Sequence, residues 1–443
     1  MIINAEYSKF SITIDKIRLA PFVFLYKLLL EVSFWKVLTV DYPFFEFSFD
    51  LLKYLNGFIW CMICYVFLEV RRKKASSFFT LLIFVLQIIP ITVVYALTPV
   101  TSPIYYNLLL FTFLMCEIIV GTIDTSRVFK PNADLSRAIV PVFALVSVGM
   151  LLLLIAKNGM PSLGALDIYS VYDLRADNDL GIGEYLGRVL SLSVTVFLPV
   201  LFSKAAIEKK YAKSIACMLA IFIIYLYTGH KVYLFSIPLC VAAVIWSKKD
   251  DCIVSFFRTM LLAFSALCLL TMLWPGKNNI MSHIYSLFVR RVLIVPAVLK
   301  FYHYDYFTTH PYLGLYGAIP LAINPYIPQY YVGMNYQMEI GEIYFHVQSN
   351  ANTGFLVEGF ARFGYIGLIL SGVLLAWILK LFDSFQKRTN YQYAICFFLY
   401  TVYALADRQI VGTLFFGVWF FALVVVYHYS GRRSTVRSFP ETC

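Results

Sequence analysis

The sequence predicts an all-α polytopic membrane protein with about 12 transmembrane helices. Hydrophobic residues make up 60% of the 443 residues and charged residues only 14%, whereas soluble domains are about one quarter charged. The hydrophobic residues form continuous runs, and the basic residues collect in every second gap between them. Because lipid offers the backbone no hydrogen-bond partners, continuous runs of this kind fold as helices.

Each predicted span approaches the roughly 20 residues that a helix needs to cross the hydrocarbon. In chain order the spans lie at about residues 20–40, 54–70, 77–97, 104–122, 138–156, 186–204, 213–229, 231–247, 255–274, 356–380, 391–407 and 411–429. We expect these helices to form a single transmembrane domain over residues 1–443.

The charges in the gaps predict the orientation of the helices. Lys and Arg are enriched in cytoplasmic loops, and here they follow every even-numbered span, as in the run Arg71, Arg72, Lys73 and Lys74. Both termini are therefore expected in the cytoplasm. Since the net charge of +11 is spread over these loops, the sequence argues against a nucleic-acid partner and for contact with membrane lipids.

Two of the loops on the opposite, outer side are longer than the rest. The loop at about 157–185 is of medium length and acidic. The loop at about 275–352 is large, and its apolar stretch Ile284 to Tyr302 carries Arg290 and Arg291. This stretch is expected to lie at the membrane interface as a helix, or to enter the membrane and return.

The large loop is rich in tyrosine, and two interpretations of this are open. Aromatic rings stack on sugars, but tyrosine is also enriched where membrane proteins meet the headgroups. Under the first interpretation, the candidate sugar-binding residues are Tyr312, Tyr336 and Asn352.

Basic residues outside the cytoplasm run against the charge rule and are candidates to bind a diphosphate, because cationic side chains pair with phosphate oxygens. An ordinary interfacial role remains open for each of them. The candidates are Arg175, Lys231, Arg290, Arg291 and Arg408. The candidate general bases are Glu342, His346 and Glu358. The sequence predicts no metal site and no cofactor.

Several short segments follow one another in a suggestive order. They are Ile168-Tyr-Ser-Val-Tyr-Asp-Leu-Arg175, Tyr227-Thr-Gly-His-Lys-Val232, Arg291-Val-Leu-Ile-Val-Pro296, Tyr304-Asp-Tyr-Phe307, Asn352-Thr-Gly-Phe355 and Phe363-Gly-Tyr-Ile-Gly367. Their order, together with the layout of the spans, resembles the bacterial oligosaccharide repeat-unit polymerases, the Wzy-type O-antigen polymerases. Arg362 and His230 depart from the pattern that we expect of the family.

The resemblance implies a metal-independent glycosyltransferase of the bacterial inner membrane that acts in lipopolysaccharide biosynthesis. Such an enzyme joins undecaprenyl-diphosphate-linked oligosaccharides at the periplasmic face. It implies that Arg175, Arg290 or Arg291 grips the diphosphate, with Lys231 or Arg408 assisting. A polysaccharide chain-length regulator and a flippase are the implied protein partners.

Three other functions compete with this one. A lipid-linked oligosaccharide flippase would carry polar groups within its spans and have short, even loops. An O-antigen ligase shares the layout and also cleaves a lipid diphosphate. A membrane acyltransferase is the third alternative. Of the polar residues within the spans, Lys27 and Glu31 are four residues apart and are expected to pair on one helical face.

Overall fold

The structure is a computed structural model that describes most of the chain. The described residues are 14–70, 73–99, 102–122, 135–161, 181–249, 251–276, 279–315, 335–346, 350–352, 354–388 and 391–405. All regular structure within these ranges is helical. The prediction of an all-α chain is therefore confirmed for the part that the structure describes.

Seven helices in the described ranges are long and apolar enough to cross a membrane, as expected of a polytopic membrane protein. They are Ala75–Leu97, Pro103–Thr122, Val140–Asn158, Tyr185–Ile207, Tyr211–Thr228, Cys252–Leu273 and Phe355–Gln386. Two further apolar helices, Leu51–Phe67 and Ser236–Ser247, are shorter. The predicted span at 411–429 lies outside the described residues, and the number of twelve spans stays a prediction.

The chain divides into two compact units. The first contains Met1–Ile123, Asp251–Leu379 and Ala404–Gly412, and the second contains Asp124–Asp250, Lys380–Tyr403 and Thr413–Cys443. The helices of the first unit are Ile14–Ser33 with its continuation to residue 41, Leu51–Phe67, Ala75–Leu97, Pro103–Thr122, Cys252–Leu273, the continuous helix 280–309, Tyr336–Phe345 and most of Phe355–Arg388.

The first three helices of the first unit run in alternating directions. At one end of this unit, the Lys16 ammonium donates to the Val66 carbonyl at 2.6 Å. At the other end, the Ser48 amide donates to the Leu97 carbonyl at 2.9 Å. The start of the first helix thus meets the end of the second, and the loop between them meets the end of the third.

Wide π-helical turns interrupt several helices just before a proline. Such turns span Phe84–Ile88, Ser193–Phe197 and Ser286–Ile294, and Pro90, Pro199 and Pro296 follow them within two residues. Proline has no amide hydrogen, and its ring clashes with the carbonyl four residues earlier. A wider turn removes this clash while the helix continues through the proline.

The second unit has its own apolar core. Its described helices are Leu135–Asn158, the continuous helix 183–207, Tyr211–Thr228, Lys231–Ser247 and Tyr391–Leu405. Leu154, Val194 and Ile224 from three of these helices are fully buried together. The Ser203 hydroxyl donates to the Cys396 carbonyl at 3.1 Å and joins the last described helix to this core.

The predicted large loop contains a long buried helix at residues 280–309. Its parts Ser286–Ile294 and Val295–Thr309 both pack on Ile89–Leu97, and Val295–Thr309 also packs on Tyr336–Phe345. The helix therefore lies against the second half of Ala75–Leu97. Whether this loop lies in the periplasm stays a prediction.

Candidate functional site

The helix 280–309 carries most of the candidate residues of the first unit. Asn279 begins it, because its side-chain oxygen accepts the Ser282 amide at 2.7 Å. One face is buried along its whole length, with Tyr285, Leu293 and Phe301 at most 1% exposed. The helix ends at Thr309, two residues before Pro311.

Arg290 is held in place near the middle of this helix. Its Nε donates to the Ser286 hydroxyl at 2.9 Å, and its guanidinium carbon lies 4.3 Å from the centre of the Tyr42 ring. The Tyr42 hydroxyl donates to the same Ser286 oxygen at 3.2 Å. Arg290 is half-buried and Arg291 is exposed. The helix therefore carries one oriented and one exposed cation at successive positions, and arginine suits phosphate oxygens because its planar fork binds them in pairs.

Two tyrosine–carboxylate hydrogen bonds attach the short helix Tyr336–Phe345 to the end of the helix 280–309. The Tyr306 hydroxyl donates to Glu339 at 2.5 Å, and the Tyr344 hydroxyl donates to Asp305 at 2.6 Å. Burial, followed by the neighbouring Asp305 carboxylate, raises the pKa of the Tyr344 phenol. The Tyr344 phenol therefore stays protonated and donates to Asp305 at neutral pH. The sequence did not single out Asp305.

The three candidate general bases lie in different surroundings. Glu342 is exposed on the helix Tyr336–Phe345, and His346, also exposed, ends that helix in a left-handed conformation with φ of 54°. Glu358 is buried and accepts from Arg362 Nε at 2.9 Å, and each side chain is only 2% exposed. Glu342 and His346 are therefore open to solvent, whereas Glu358 is not.

Arg362 lies at a sharp corner within the helix Phe355–Arg388. Phe363 and Gly364 leave the helical conformation, and Gly364 adopts a φ of 63° that favours glycine. At this corner Arg362 Nη1 donates to the Gly314 carbonyl at 3.1 Å, while the Leu313 amide donates to the Ala361 carbonyl at 2.9 Å. The buried ion pair thus holds the loop before residue 316 against the corner.

The two arms of this corner pack with very little space between their backbones. An added Cβ at Gly359 would lie 2.0 Å from the Gly367 carbonyl oxygen, and one at Gly367 would lie 2.0 Å from the Gly359 oxygen. Only glycine fits such an approach. The motif Phe363-Gly-Tyr-Ile-Gly367 therefore forms the corner and one side of this contact.

Tyrosines from three elements gather on the outside of the corner. Tyr304 packs on Phe360 with ring centres 5.2 Å apart, and its hydroxyl lies 3.3 Å from that of Tyr365. Tyr312 packs edge-on against Phe360 at 5.9 Å. We call Tyr304, Tyr312 and Tyr365 the tyrosine cluster.

The predicted sugar-binding residues do not all lie in this cluster. Tyr312 does, and it is 42% exposed. Tyr336 lies at the start of the helix Tyr336–Phe345, edge-on to His303 and Phe307. Asn352 is half-buried in the segment before the helix Phe355–Arg388.

The predicted diphosphate-binding residues are only partly described. Arg290 and Arg291 are neighbours on one helix, as their positions require. Arg175 and Arg408 lie outside the described residues, and so does the side chain of Lys231, whose backbone begins the helix Lys231–Ser247. Arg290 lies about 20 Å along the helix from Tyr304, at 1.5 Å per residue.

Within the described ranges, no three His, Cys, Asp or Glu side chains are grouped closely enough to hold a metal ion. Comparisons of the chain with protein-family models, with curated proteins and with solved structures found no match.

Proposed function

We propose that this chain is an O-antigen polymerase, a glycosyltransferase that joins undecaprenyl-diphosphate-linked oligosaccharide repeat units at the periplasmic face of the bacterial inner membrane. One observation carries the proposal. A single helix, residues 280–309, presents two adjacent arginines near its middle and a group of tyrosines and carboxylates at its end. The order of the sequence motifs gives independent support.

The spacing along this helix suits a lipid-linked sugar. Arg290 packs on Tyr42, and Tyr304 packs on Tyr105. Tyr42 and Tyr105 lie at the same end of the first unit, so the arginines and the tyrosines, about 20 Å apart along the helix, both lie at that end. The diphosphate of a lipid-linked substrate and the sugars attached to it therefore have contact groups on one side of the unit.

In the proposed reaction, Arg290 and Arg291 bind the diphosphate of the donor. A hydroxyl of the acceptor sugar attacks the anomeric carbon of the donor and gives its proton to Glu342 or His346. The bond from the new oxygen to this carbon forms as the bond to the diphosphate oxygen breaks. The electron pair leaves with undecaprenyl diphosphate, whose added charge the arginines stabilise.

The proposal includes twelve spans, cytoplasmic termini and a periplasmic position for residues 275–352. The ends of the helices in the first unit support this arrangement. The basic residues Lys16 and Lys74 lie at one end of that unit, and Tyr42 and Tyr105, which contact the helix 280–309, lie at the other. Such an asymmetry agrees with the enrichment of basic residues on the cytoplasmic side.

Deletion of the gene, followed by electrophoresis of the lipopolysaccharide, tests the function. Loss of a polymerase leaves the lipid A core with a single repeat unit, and we expect this band. Loss of a ligase or a flippase leaves the core without any repeat unit, which would contradict the proposal. Restoring the wild-type gene is expected to restore the full ladder.

One observation favours the flippase as the second candidate. Both polar atoms of the Gln87 amide and one oxygen of Glu117 are buried without a hydrogen-bond partner among the described residues. Both side chains lie in helices that are apolar enough to span a membrane, where polar groups are costly and often mark transport paths. Bare core in the deletion strain would favour this candidate.

A further inference from the structure

The proposed reaction assigns no role to the tyrosine cluster at the corner of the helix Phe355–Arg388. We propose that Tyr304, Tyr312 and Tyr365 form the binding surface for the neutral saccharide portion of the lipid-linked substrate. The identity of the ligand rests on the proposed function, whereas the surface itself rests on the geometry described below.

The cluster is a built surface with fixed side chains. Tyr304 stacks on Tyr105 with ring centres 4.5 Å apart, and the Tyr105 hydroxyl donates to the Lys300 carbonyl at 3.1 Å. Phe360, which is fully buried, contacts all three members of the cluster from below at 5.2 to 5.9 Å. The rings therefore need little further ordering when a ligand binds.

The groups that the cluster exposes match a sugar. Tyr312 and Tyr365 are 42% and 39% exposed, so their rings offer apolar area to the C–H faces of a pyranose. Their hydroxyls add hydrogen-bonding groups, and that of Tyr365 lies 3.3 Å from that of Tyr304. A neutral polyhydroxylated ligand uses both kinds of contact at once.

Charge argues against a phosphate as the occupant. Arg362 and Glu358, the charged residues at this corner, are paired and only 2% exposed beneath the cluster. An anionic headgroup would find no accessible cation in the cluster itself, since its three members are phenols. The arginines that suit a phosphate lie about 20 Å away along the helix.

The short distance between the Tyr304 and Tyr365 hydroxyls argues that the cluster is more than a belt of tyrosines at the membrane interface. Tyrosines of such a belt each place a ring at the headgroup level and hydrogen-bond independently to water or lipid. Here the Tyr304 and Tyr365 hydroxyls come from residues 61 positions apart and meet at 3.3 Å. Gly364 lets the Tyr312 ring approach, because an added Cβ would lie 3.1 Å from that ring.

A binding experiment on the full chain in lipid nanodiscs tests this surface. The probe is the free single-repeat oligosaccharide, released by mild acid from its lipid diphosphate in the deletion strain, and binding is followed by calorimetric titration. We expect Tyr312→Ala and Tyr365→Ala to weaken binding about tenfold or more. Trp274→Ala, which removes another exposed aromatic residue of the first unit, is expected to bind as the wild type does.

Unchanged affinity in both cluster variants would overturn the proposal, as would a wild-type protein that does not bind the oligosaccharide. If the cluster variants keep their affinity but lower the melting temperature in nanodiscs, the tyrosines are an interface belt, and the proposal is also overturned. Should Tyr365→Ala fail to fold, Tyr365→Phe keeps the ring on Phe360 and is expected to weaken binding several-fold through its lost hydroxyl.

A failure of the polymerase assignment can be distinguished from a failure of the saccharide-binding surface. If the deletion strain yields bare core, the polymerase assignment is wrong, and the same proteins are applied to an array of bacterial surface oligosaccharides. Binding that only the two cluster variants lose would still support the saccharide surface. Absence of wild-type binding on the array would overturn it.

Discussion

At the scale of single residues, the buried ion pair with Arg362 indicates that Glu358 has a structural role and not a catalytic one. Glu358 was a candidate base, yet it accepts from Arg362 and is 2% exposed. Removing one partner of a buried pair leaves an uncompensated charge, which costs about 3–5 kcal/mol. We therefore expect Glu358→Gln to lower the melting temperature and the level of protein in the membrane.

A double variant decides between the two roles. In Glu358→Gln with Arg362→Met neither residue is charged, and stability is expected to recover in part. If Glu358 is structural, the lipopolysaccharide ladder recovers together with the protein level. A stable double variant that makes no ladder would identify Glu358 as a catalytic residue.

The two arginines of the helix 280–309 give the second prediction. Changing Arg290 or Arg291 to alanine removes charge-assisted hydrogen bonds worth about 1.5–3 kcal/mol each. Each variant is therefore expected to shorten or abolish the ladder on a lipopolysaccharide gel while its membrane level holds. Arg258→Ala, an exposed arginine near the start of the helix Cys252–Leu273, serves as the control and is expected to give a normal ladder. Normal ladders for both Arg290→Ala and Arg291→Ala would rule out a diphosphate site here.

His303 gives a prediction about pH. Its side chain is 1% exposed, and burial lowers its pKa from 6.5 to about 3, although the Leu299 carbonyl 2.9 Å from Nδ1 partly opposes this. The unfolded chain therefore takes up a proton below pH 6.5 that the folded chain does not take up until about pH 3. The contribution of neutral His303 to the free energy of unfolding is therefore complete above pH 6.5. It falls by up to about 1.4 kcal/mol for each pH unit below that value.

Chemical unfolding in detergent between pH 7 and pH 4.5 measures this effect. We expect His303→Leu to have a flatter profile than the wild type. His283→Leu, which replaces an exposed histidine of the same helix, is expected to follow the wild-type profile. Parallel profiles for wild type and His303→Leu would show that His303 does not set the pH dependence.

At the scale of elements, the glycine contact at the corner decides whether the helix Phe355–Arg388 can fold back. An added methyl group at Gly359 or Gly367 would meet backbone oxygen at 2.0 Å. We expect Gly359→Ala and Gly367→Ala to be severely destabilising, because a backbone cannot yield as a side chain can. Membrane level and melting temperature measure the loss.

Gly149→Ala is the matched control, since a methyl group there meets nothing within 4 Å and the residue lies inside a helix. That variant is expected to be neutral or stabilised by up to about 1 kcal/mol. If Gly359→Ala and Gly149→Ala behave alike, the close approach at the corner does not contribute to folding.

The sequence predicted the elements better than their contacts. The spacing of Lys27 and Glu31 predicted their ion pair, which the structure confirms. The sequence did not predict the corner, because apolar residues continue past it and only the backbone conformations of Phe363 and Gly364 mark the break. The sequence did not predict the full extent of the helix 280–309, because its buried face includes the polar residues Lys300 and His303.

The contacts of the candidate site could not be predicted from the sequence for a different reason. Tyr306 and Glu339, like Asp305 and Tyr344, are more than thirty positions apart. Pairs at such separation depend on how elements pack, and no local pattern encodes that. The abundance of tyrosine in the loop was visible, but not which tyrosines share a surface.

At the scale of the whole molecule, the proposed function requires that the helix 280–309 and the tyrosine cluster face the periplasm. Alternation of the first-unit helices places Tyr42, Leu97 and Tyr105 at the end of that unit where this helix lies. The charge rule assigns the opposite end, with Lys16 and Lys74, to the cytoplasm.

The most direct test is a pair of reporter fusions to alkaline phosphatase, one after Leu315 and one after Lys249. Alkaline phosphatase is active only when exported, so we expect activity from the fusion at Leu315 and none from the fusion at Lys249. An inactive, stably produced fusion at Leu315 together with an active one at Lys249 would place the helix 280–309 on the cytoplasmic side, where lipid-linked repeat units cannot be joined as proposed.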